Sequence, residues 1–298
     1  MTEPIVVEGL TKVYGDHRAV DDLSFAVPWE RVTGFLGPNG AGKTTTMRMI
    51  LGLASIDGGR AEVLGRPYAS LERPSATVGS LLETQQFHPQ RSARDHLRAY
   101  AAAGSVADSR VDEVLRLVEL SDVGTKKVRK FSLGMRQRLG LAAALLGDPS
   151  ILVLDEPANG LDPSGIRWLR SFLRSFAAQG RAVFLSSHLL AEVAQMADDV
   201  VVINHGRLVV HADVENLVSH AERGVRVRTD QPERLRDVLA GLGNAAELVS
   251  HDVVFVKGAT VEEIGRAAAT AGIPLFGLNS EEENLEDVFL QLTGSEER

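Results

Sequence analysis

The sequence predicts an α/β fold arranged around a phosphate-binding loop, and three observations lead to that prediction. An apolar run at Val32–Leu36 enters a glycine-rich stretch at residues 37–44, and a helical pattern follows at residues 45–53. The continuous apolar run Ile151–Leu154 is typical of a parallel strand buried on both faces, and Ala182–Ser187 is expected to be a further buried strand. Stretches with helical spacing separate these strands, which is the alternation expected of an α/β protein.

The stretch at residues 37–44 reads GPNGAGKT and fits the pattern Gly, any four residues, Gly-Lys-Thr. A strand, a glycine-rich turn and a helix in that order aim backbone N–H groups and a helix dipole at one point, where phosphate fits. Lys43 is expected to reach the β- and γ-phosphates of a nucleotide, and the Thr44 hydroxyl to bind Mg²⁺. The alternative is a glycine-rich turn before an ordinary helix. The candidate nucleotide-binding residues here are Gly37, Pro38, Asn39, Gly40, Ala41, Gly42, Lys43, Thr44 and Thr45.

Composition and charge exclude several classes of protein and of functional site. The chain has 298 residues, of which 44% are hydrophobic and 24% charged, as in ordinary globular proteins. Its net charge of -8 argues against a general nucleic-acid binder, and the absence of cysteine excludes disulfides and thiolate chemistry. The N-terminus lacks the order of a signal peptide, and no apolar stretch approaches the roughly 18 to 20 residues of a membrane-spanning helix.

The first part of the chain predicts short strands and then helices. Strands are expected at residues 5–7, 23–27, 61–64 and 78–82. Tyr14, expected on a loop between the first two, either stacks on a nucleobase or packs against the protein. Helices are expected at residues 93–103, 111–120 and 136–146, as a helical insertion between strands. Ser132, just before the third helix, is a plausible N-cap, and capping alone would explain it.

The second part of the chain carries the candidate catalytic groups. Asp155 and Glu156 follow a buried strand, at the sheet edge where α/β sites form. Asp155 is placed to hold Mg²⁺ and Glu156 to take a proton from an attacking water, although acidic pairs also occur in plain loops. His188 follows the next core strand and is either a structural residue or a site residue. A turn at residues 160–163 precedes another helix, and a hairpin is expected around residues 204–206.

Beyond residue 219 the pattern changes to that of a small α+β domain. Strands are expected at residues 225–228, 253–257 and 273–277, and helices at residues 232–242 and 260–271. A last helix from residue 284 would place its apolar residues on one face. We expect two domains, residues 1–218 with a helical subdomain at about 84–147, and an accessory domain at residues 219–298.

In combination, these motifs resemble the ATPase subunit of an ATP-binding cassette (ABC) transporter over roughly the first 215 to 220 residues. The resemblance implies a P-loop NTPase core with an antiparallel β subdomain and a helical subdomain. It implies that Tyr14 stacks on adenine, that His188 senses the γ-phosphate, and that the loop ending at Asp162 reaches across a dimer. Catalytic roles then fall to Lys43, Glu156 and His188, with ATP and Mg²⁺ as ligands.

Two stretches depart from the family's usual pattern. The signature, commonly Leu-Ser-Gly-Gly-Gln, reads FSLGM at residues 131–135, so that Ser132 and Gly134 remain to face the partner subunit's ATP. Glu83 stands where a magnesium-contacting glutamine is usual, with Gln85 as the weaker candidate. These features and the tail NLEDVF at residues 284–289 resemble the bacterial bacitracin-resistance or multidrug-export branch, which suggests efflux.

The resemblance also implies partners. These are a second ABC ATPase subunit, identical or closely related, and integral membrane permease subunits that dock near Glu83 and the helical insertion. The chain would then be cytoplasmic and held at the inner face of the membrane, with no nucleic acid bound. The rival interpretations are a soluble cassette ATPase of DNA repair or translation, and a nucleotide-binding regulator without turnover. A single phosphate loop and the lack of sustained heptads count against the first of these rivals.

Overall fold

The computed structural model describes residues 2–82, 87–216 and 223–282. The chain divides into two units, Met1–Val214 and Glu215–Arg298. The boundary expected from the sequence, between residues 218 and 219, falls outside the described ranges. The domain limits 1–218 and 219–298 therefore stay a prediction.

A six-stranded sheet forms the centre of the larger unit. The strands of this unit are β1 (Ile5–Tyr14), β2 (His17–Val27), β3 (Val32–Leu36), β4 (Gly58–Val63), β5 (Val78–Leu81), β6 (Ile151–Leu154), β7 (Ala182–Ser187), β8 (Asp199–Asn204) and β9 (Arg207–Asp213). The central sheet has the order β5-β6-β7-β3-β8-β9, and its neighbours pair in parallel except for β9, which is antiparallel to β8. The carboxyl ends of β3, β6 and β7 therefore meet at one edge, which is the edge that carries the predicted site.

A second, three-stranded antiparallel sheet of order β2-β1-β4 packs against the central sheet. Three phenylalanine rings join the two sheets, with centroids 5.1 to 5.4 Å apart: Phe25 of β2, Phe35 of β3 and Phe184 of β7. Phe35 and Phe184 are fully buried. This packing fixes the position of β3 and therefore of the phosphate loop that follows it.

The hairpin of β1 and β2 corrects one expectation. Tyr14 is not on a loop but is the last residue of β1, paired with His17 across the two-residue turn. The strands are also longer than the predicted segments at residues 5–7 and 23–27. Register shifts between Val7 and Leu10, and again before Val13, interrupt the alternation of apolar and polar residues by which a strand is recognised.

The described residues of the larger unit also form helices. They are α1 (Lys43–Ile50), α2 (Pro74–Thr77), α3 (Ala93–Ala103), α4 (Asp108–Leu117), α5 (Leu133–Ala144), α6 (Pro163–Ala177) and α7 (Leu190–Met196). The helices α3, α4 and α5 pack on one another through fully buried side chains that include Leu97, Leu115 and Leu139. This trio is the helical insertion expected from the sequence.

Three of these helices begin earlier than expected. Helix α1 starts at Lys43 rather than at residue 45 and ends at Ile50 rather than at residue 53. Helix α4 starts at Asp108 rather than at residue 111 and ends at Leu117 rather than at residue 120. Helix α5 starts at Leu133 rather than at residue 136 because the Ser132 hydroxyl accepts a hydrogen bond from the Met135 N–H, 3.2 Å away, and caps it. The first turn of α5 is thus made of residues of the predicted signature.

Over its described residues 223–282, the smaller unit forms a four-stranded antiparallel sheet with two helices. Its elements are β10 (Arg223–Arg228), α8 (Pro232–Gly241), β11 (Ala245–Ser250), β12 (Val253–Lys257), α9 (Val261–Ala271) and β13 (Gly277–Glu282). The strand order is β11-β12-β10-β13. Its core includes Val225, Val227, Leu235, Val254 and Ile264, all nearly or fully buried.

The smaller unit contradicts one strand prediction and adds a strand. Residues 273–277 do not form a strand; β13 begins at Gly277 and pairs with β10. The apolar Ile273 is buried in the core ahead of that strand, so its hydrophobicity reports packing rather than strand structure. Strand β11 was not predicted because nearly all its side chains are exposed and give no alternation. The helix expected from residue 284 lies outside the described residues.

Candidate nucleotide-binding and catalytic site

The loop between β3 and α1 brings the end of a parallel strand against the start of a helix, whose first residue is Lys43. Gly42 has a φ of 104°, which favours glycine, and a Cβ there would lie 2.4 Å from the carbonyl oxygen of Ala19. At Gly37 a Cβ would lie 2.7 Å from the carbonyl oxygen of Ile203. Neighbouring backbone therefore requires glycine at both positions, and the loop is held in one shape.

Lys43 is buried inside the loop, with 7% of the residue exposed. Its Nζ donates to the carbonyl oxygens of Gly37, at 2.6 Å, and Pro38, at 3.3 Å. Burial lowers the pKa of the Lys43 ammonium, while the carboxylates of Glu156 and Asp155 act in the opposite direction. Phosphate oxygens are better acceptors for this ammonium than neutral carbonyls are, so the loop presents a donor suited to a nucleotide.

Asp155, at the end of β6, is 4% exposed and joins two parts of the site. Its Oδ2 accepts a hydrogen bond from Thr44 Oγ1 at 2.7 Å, and its Oδ1 accepts one from the Ser186 hydroxyl of β7. A carboxylate and a hydroxyl are oxygen ligands of the kind Mg²⁺ takes alongside nucleotide phosphates and water. The donor set of Thr44 and Asp155 therefore fits that ion.

Glu156 lies at the wall of the cleft with its carboxylate between two cationic or ionisable groups. Its Oε2 is 2.9 Å from His188 Nδ1, and its Oε1 is 3.8 Å from Lys43 Nζ. The backbone of Glu156 has a φ of 48°, an uncommon conformation for a residue with a side chain, and such strain concentrates at functional sites. The fold thus brings together Lys43, Glu156 and His188, the three residues for which the sequence predicts catalytic roles.

An open cleft of about 430 Å³ lies over the phosphate loop. Its lining includes Tyr14, His17, Asn39, Gly40, Thr45 and Glu156. Tyr14 is half exposed, and the buried Lys12 supports its ring with Nζ 5.1 Å from the ring centroid. Lys12 is itself fixed by Asp57, 3.0 Å away. The cleft therefore has a phosphate-binding end and an aromatic end.

The predicted signature and the loop that ends at Asp162 lie against each other. A Cβ on Gly134 would be 3.3 Å from Leu161 Cδ2, and a Cβ on Gly160 would be 2.2 Å from Leu133 Cδ2. Asp162 caps α6 by accepting a hydrogen bond from the Gly165 N–H at 2.7 Å, and this bond lowers the pKa of its carboxyl. Ser132 and Asp162 are exposed and Gly134 is partly exposed, and none of the three lines the cleft.

Sequence reasoning missed several residues that the structure places in or beside the site, among them Ser186, Gln137, Lys12, His17 and Glu192. Ser186 is a polar residue near the end of an apolar strand, which is a readable signal. Lys12 lies two residues before Tyr14 on the same strand, but the register shift between Lys12 and Val13 means that spacing alone does not predict their contact. Gln137 and Glu192 are ordinary helix residues whose roles depend on tertiary structure. Glu83 and Gln85, the candidates for a further magnesium contact, lie outside the described residues.

None of the helices in the described ranges is long and apolar enough to span a bilayer.

Comparison with known families finds a match on each side of Val214. The profile of the ABC transporter family matches residues 20–159. A family described as a domain of unknown function (DUF8746) matches residues 223–286.

Curated relatives extend over almost the whole chain. The bacitracin transport ATP-binding protein BcrA of Enterococcus faecalis is 36% identical over 296 residues, 97% of this chain and 96% of that protein. The Nod factor export ATP-binding protein I of Burkholderia orbicola is 35% identical over 301 residues, 98% of each chain. The lantibiotic transport ATP-binding protein SrtF of Streptococcus pyogenes is 35% identical over 209 residues, 70% of this chain and 90% of that one.

Solved structures agree on the fold. The structure described as an ATP-binding subunit of an ABC transporter superposes with a TM-score of 0.64 at 24% identity, covering 89% of this chain and 99% of the other. A nucleotide-free ATP-binding cassette gives the same TM-score at 22% identity and covers 73% of this chain and 95% of the other. The architecture of the larger unit is therefore that of an ATP-binding cassette.

Proposed function

The chain belongs to the ATP-binding subunits of ABC transporters, and from that premise we propose how its residues hydrolyse ATP to power efflux. The observation that carries the proposal is the position of the Glu156 carboxylate. It lies 2.9 Å from His188 Nδ1 and 3.8 Å from Lys43 Nζ, at the wall of the cleft above the phosphate loop. A general base, a cationic phosphate ligand and a third polar group thus face one space.

Each residue of the site has a distinct role in this proposal. Lys43 exchanges the carbonyls of Gly37 and Pro38 for the β- and γ-phosphate oxygens of ATP and neutralises charge in the transition state. Glu156 accepts the proton of the attacking water. His188 orients the Glu156 carboxylate and contacts the γ-phosphate. Thr44 and Asp155 would hold Mg²⁺, which supplies positive charge to the β- and γ-oxygens when bound.

A second copy of the chain completes each site. Ser132 and Gly134 lie at the N-terminus of α5, where unpaired N–H groups and the helix dipole favour an anion. Because these residues do not line the cleft of their own chain, they are available to the γ-phosphate of ATP bound by the partner. Asp162, in the adjacent loop, would reach across the same interface. ATP binding then favours the closed dimer and hydrolysis the open one.

Separate membrane subunits convert the closing and opening of this dimer into transport. ABC ATPases work with integral membrane permeases, and we place the docking site for the permease of this chain near residues 83–86 and the α3–α5 helices. The chain would then be cytoplasmic and peripheral on the inner face of the membrane. Relatives described as transporting bacitracin and lantibiotics or exporting Nod factor support a cargo that is a drug, a peptide antibiotic or a lipid-like compound.

Purification from the native membrane tests the transport function. The tagged chain, extracted in mild detergent, is expected to bring with it an integral membrane subunit that mass spectrometry identifies, together with Mg²⁺-dependent ATPase activity. Recovery with ribosomes or nucleic acid, and without any membrane protein, would favour a soluble cassette ATPase instead. Recovery of the permease without any turnover would favour a nucleotide-binding regulator.

Tyr14 is expected to contribute to ATP affinity by stacking on the base. Stacking of a base on an aromatic ring is worth about 1 to 3 kcal/mol, so Tyr14→Ala should weaken ATP binding by roughly 5- to 150-fold. Tyr14→Trp should retain binding, because it keeps an aromatic face over Lys12. Isothermal calorimetry measures both, with Tyr100→Ala as the matched control, because Tyr100 is similarly exposed on α3. Unchanged affinity in Tyr14→Ala would show that the ring only packs against the protein.

A further inference from the structure

The peptide unit of Glu156 is held from several elements at once. Its N–H donates to Ser186 Oγ on β7 at 2.9 Å. Its carbonyl oxygen accepts one hydrogen bond from the Asn159 N–H at 3.2 Å and another from Gln137 Nε2 at 3.1 Å. The bond from Gln137 reaches Glu156 from α5, the helix that begins with the signature residues. Because the backbone of Glu156 is in the left-handed region, its conformation depends on such external bonds.

One face of α5 contacts both residues 160 and 161 and the main chain of Glu156. Gln137 follows Leu133 by four residues and Gly134 by three, and Leu141 follows Gln137 by four, so Gln137 shares a helix face with each of them. Leu133 and Gly134, in the first turn, pack against residues 160 and 161. Gln137, one turn further on, bonds to Glu156, and Leu141 is buried. A rigid helix therefore joins the surface offered to the partner's ATP with the main chain of the catalytic base in its own site.

We propose that Gln137 is a positioning residue for hydrolysis, which sets the direction of the Glu156 carboxylate through its main-chain carbonyl. The inference rests on the proposed function of Glu156 as the general base. It adds a link within one subunit, because a shift of α5 caused by the partner's nucleotide is carried to Glu156 by this hydrogen bond. Gln137 itself touches neither nucleotide nor water in this role.

Two substitutions remove the donor without removing the bulk of the side chain. Gln137→Glu has the same shape but presents oxygen to the Glu156 carbonyl, and Gln137→Met has similar length and no charge. Both are expected to lower the single-turnover hydrolysis rate about tenfold, because small errors in the placement of a catalytic group are costly. ATP affinity should stay within about twofold, because the nucleotide contacts are untouched.

A matched control tests whether a glutamine-to-glutamate change at another position also slows ATP hydrolysis. Gln179 lies just beyond the end of α6, and its side-chain Nε2 donates to the carbonyl oxygen of Ser175, four residues earlier, at 3.0 Å. Gln179→Glu is therefore expected to hydrolyse ATP at the rate of the unaltered chain. Thermal unfolding of each variant shows whether the fold is kept, and if Gln137→Glu fails to fold then Gln137→Met carries the test.

A double-mutant cycle with Glu156→Gln distinguishes positioning from a general structural role. If Gln137 acts through the Glu156 carboxylate, Gln137→Met should lower the single-turnover rate in the unaltered chain and not in the Glu156→Gln background. An equal loss in both backgrounds, or normal turnover by both Gln137 variants, would overturn the inference. The proposed function fails differently, because Glu156→Gln alone would then hydrolyse ATP normally.

Discussion

Replacing Glu156 with glutamine is expected to lower ATP turnover by roughly 10²-fold or more while ATP binding persists, as is typical when a general base is lost. Glutamine has nearly the same shape and keeps the bonds of the Glu156 main chain to Ser186 and Gln137. It cannot accept a proton from water. Phosphate release under steady-state conditions measures the loss, and calorimetry with Mg·ATP measures the affinity.

The control for Glu156→Gln is Glu72→Gln, which removes one carboxylate at an exposed position outside the lining of the cleft. That variant should turn over ATP at the normal rate. Near-normal activity in Glu156→Gln would remove Glu156 from its catalytic role. If Glu156→Gln lost both ATP binding and turnover, Glu156 would instead support the structure of the phosphate loop.

Replacing Lys43 with alanine is expected to weaken ATP binding by roughly 10- to 150-fold, because hydrogen bonds to charged groups contribute about 1.5 to 3 kcal/mol. The bonds that Lys43 makes to the carbonyls of Gly37 and Pro38 place its ammonium inside the loop, at the point to which the loop directs a phosphate. Lys43→Arg should not restore binding, because a planar guanidinium does not fit the space of a compact ammonium.

Lys126→Ala is the control for Lys43→Ala, since Lys126 is an exposed lysine of the helical insertion. Its ATP affinity should equal that of the unaltered chain. Calorimetry and a thermal melt of each variant separate lost affinity from lost folding. If folded Lys43→Ala bound ATP with normal affinity, the phosphate site would have to lie elsewhere.

The sequence predicts the phosphate loop well because its pattern is a geometric requirement. Gly37 and Gly42 stand where neighbouring backbone leaves no room for a side chain, and Lys43 is placed by the spacing alone. The contact of Glu156 with His188 could not be read in the same way. These residues are 32 positions apart, and only the parallel pairing of β6 with β7 brings them together.

What the sequence does not predict depends on tertiary structure. The bond from Gln137 to Glu156 exists because α5 packs beside the loop that follows β6, and nothing in the local pattern of α5 indicates it. The residues of β13 are mostly polar, and they form a strand because they pair with β10. The apolar Ile273, which precedes β13, is buried in the core instead. Residue type there reports burial more than strand structure.

We propose that a second copy of the chain completes each nucleotide site. Sedimentation of the Glu156→Gln variant tests it directly, because slow hydrolysis preserves the ATP-bound state. The variant is expected to sediment as a dimer with Mg·ATP and as a monomer with Mg·ADP. Adding Ser132→Arg should abolish the dimer while the monomer still binds ATP. The proposal would be contradicted if Glu156→Gln remained a monomer when saturated with ATP. It would also be contradicted if the variant formed a dimer with or without ATP and with or without Ser132→Arg.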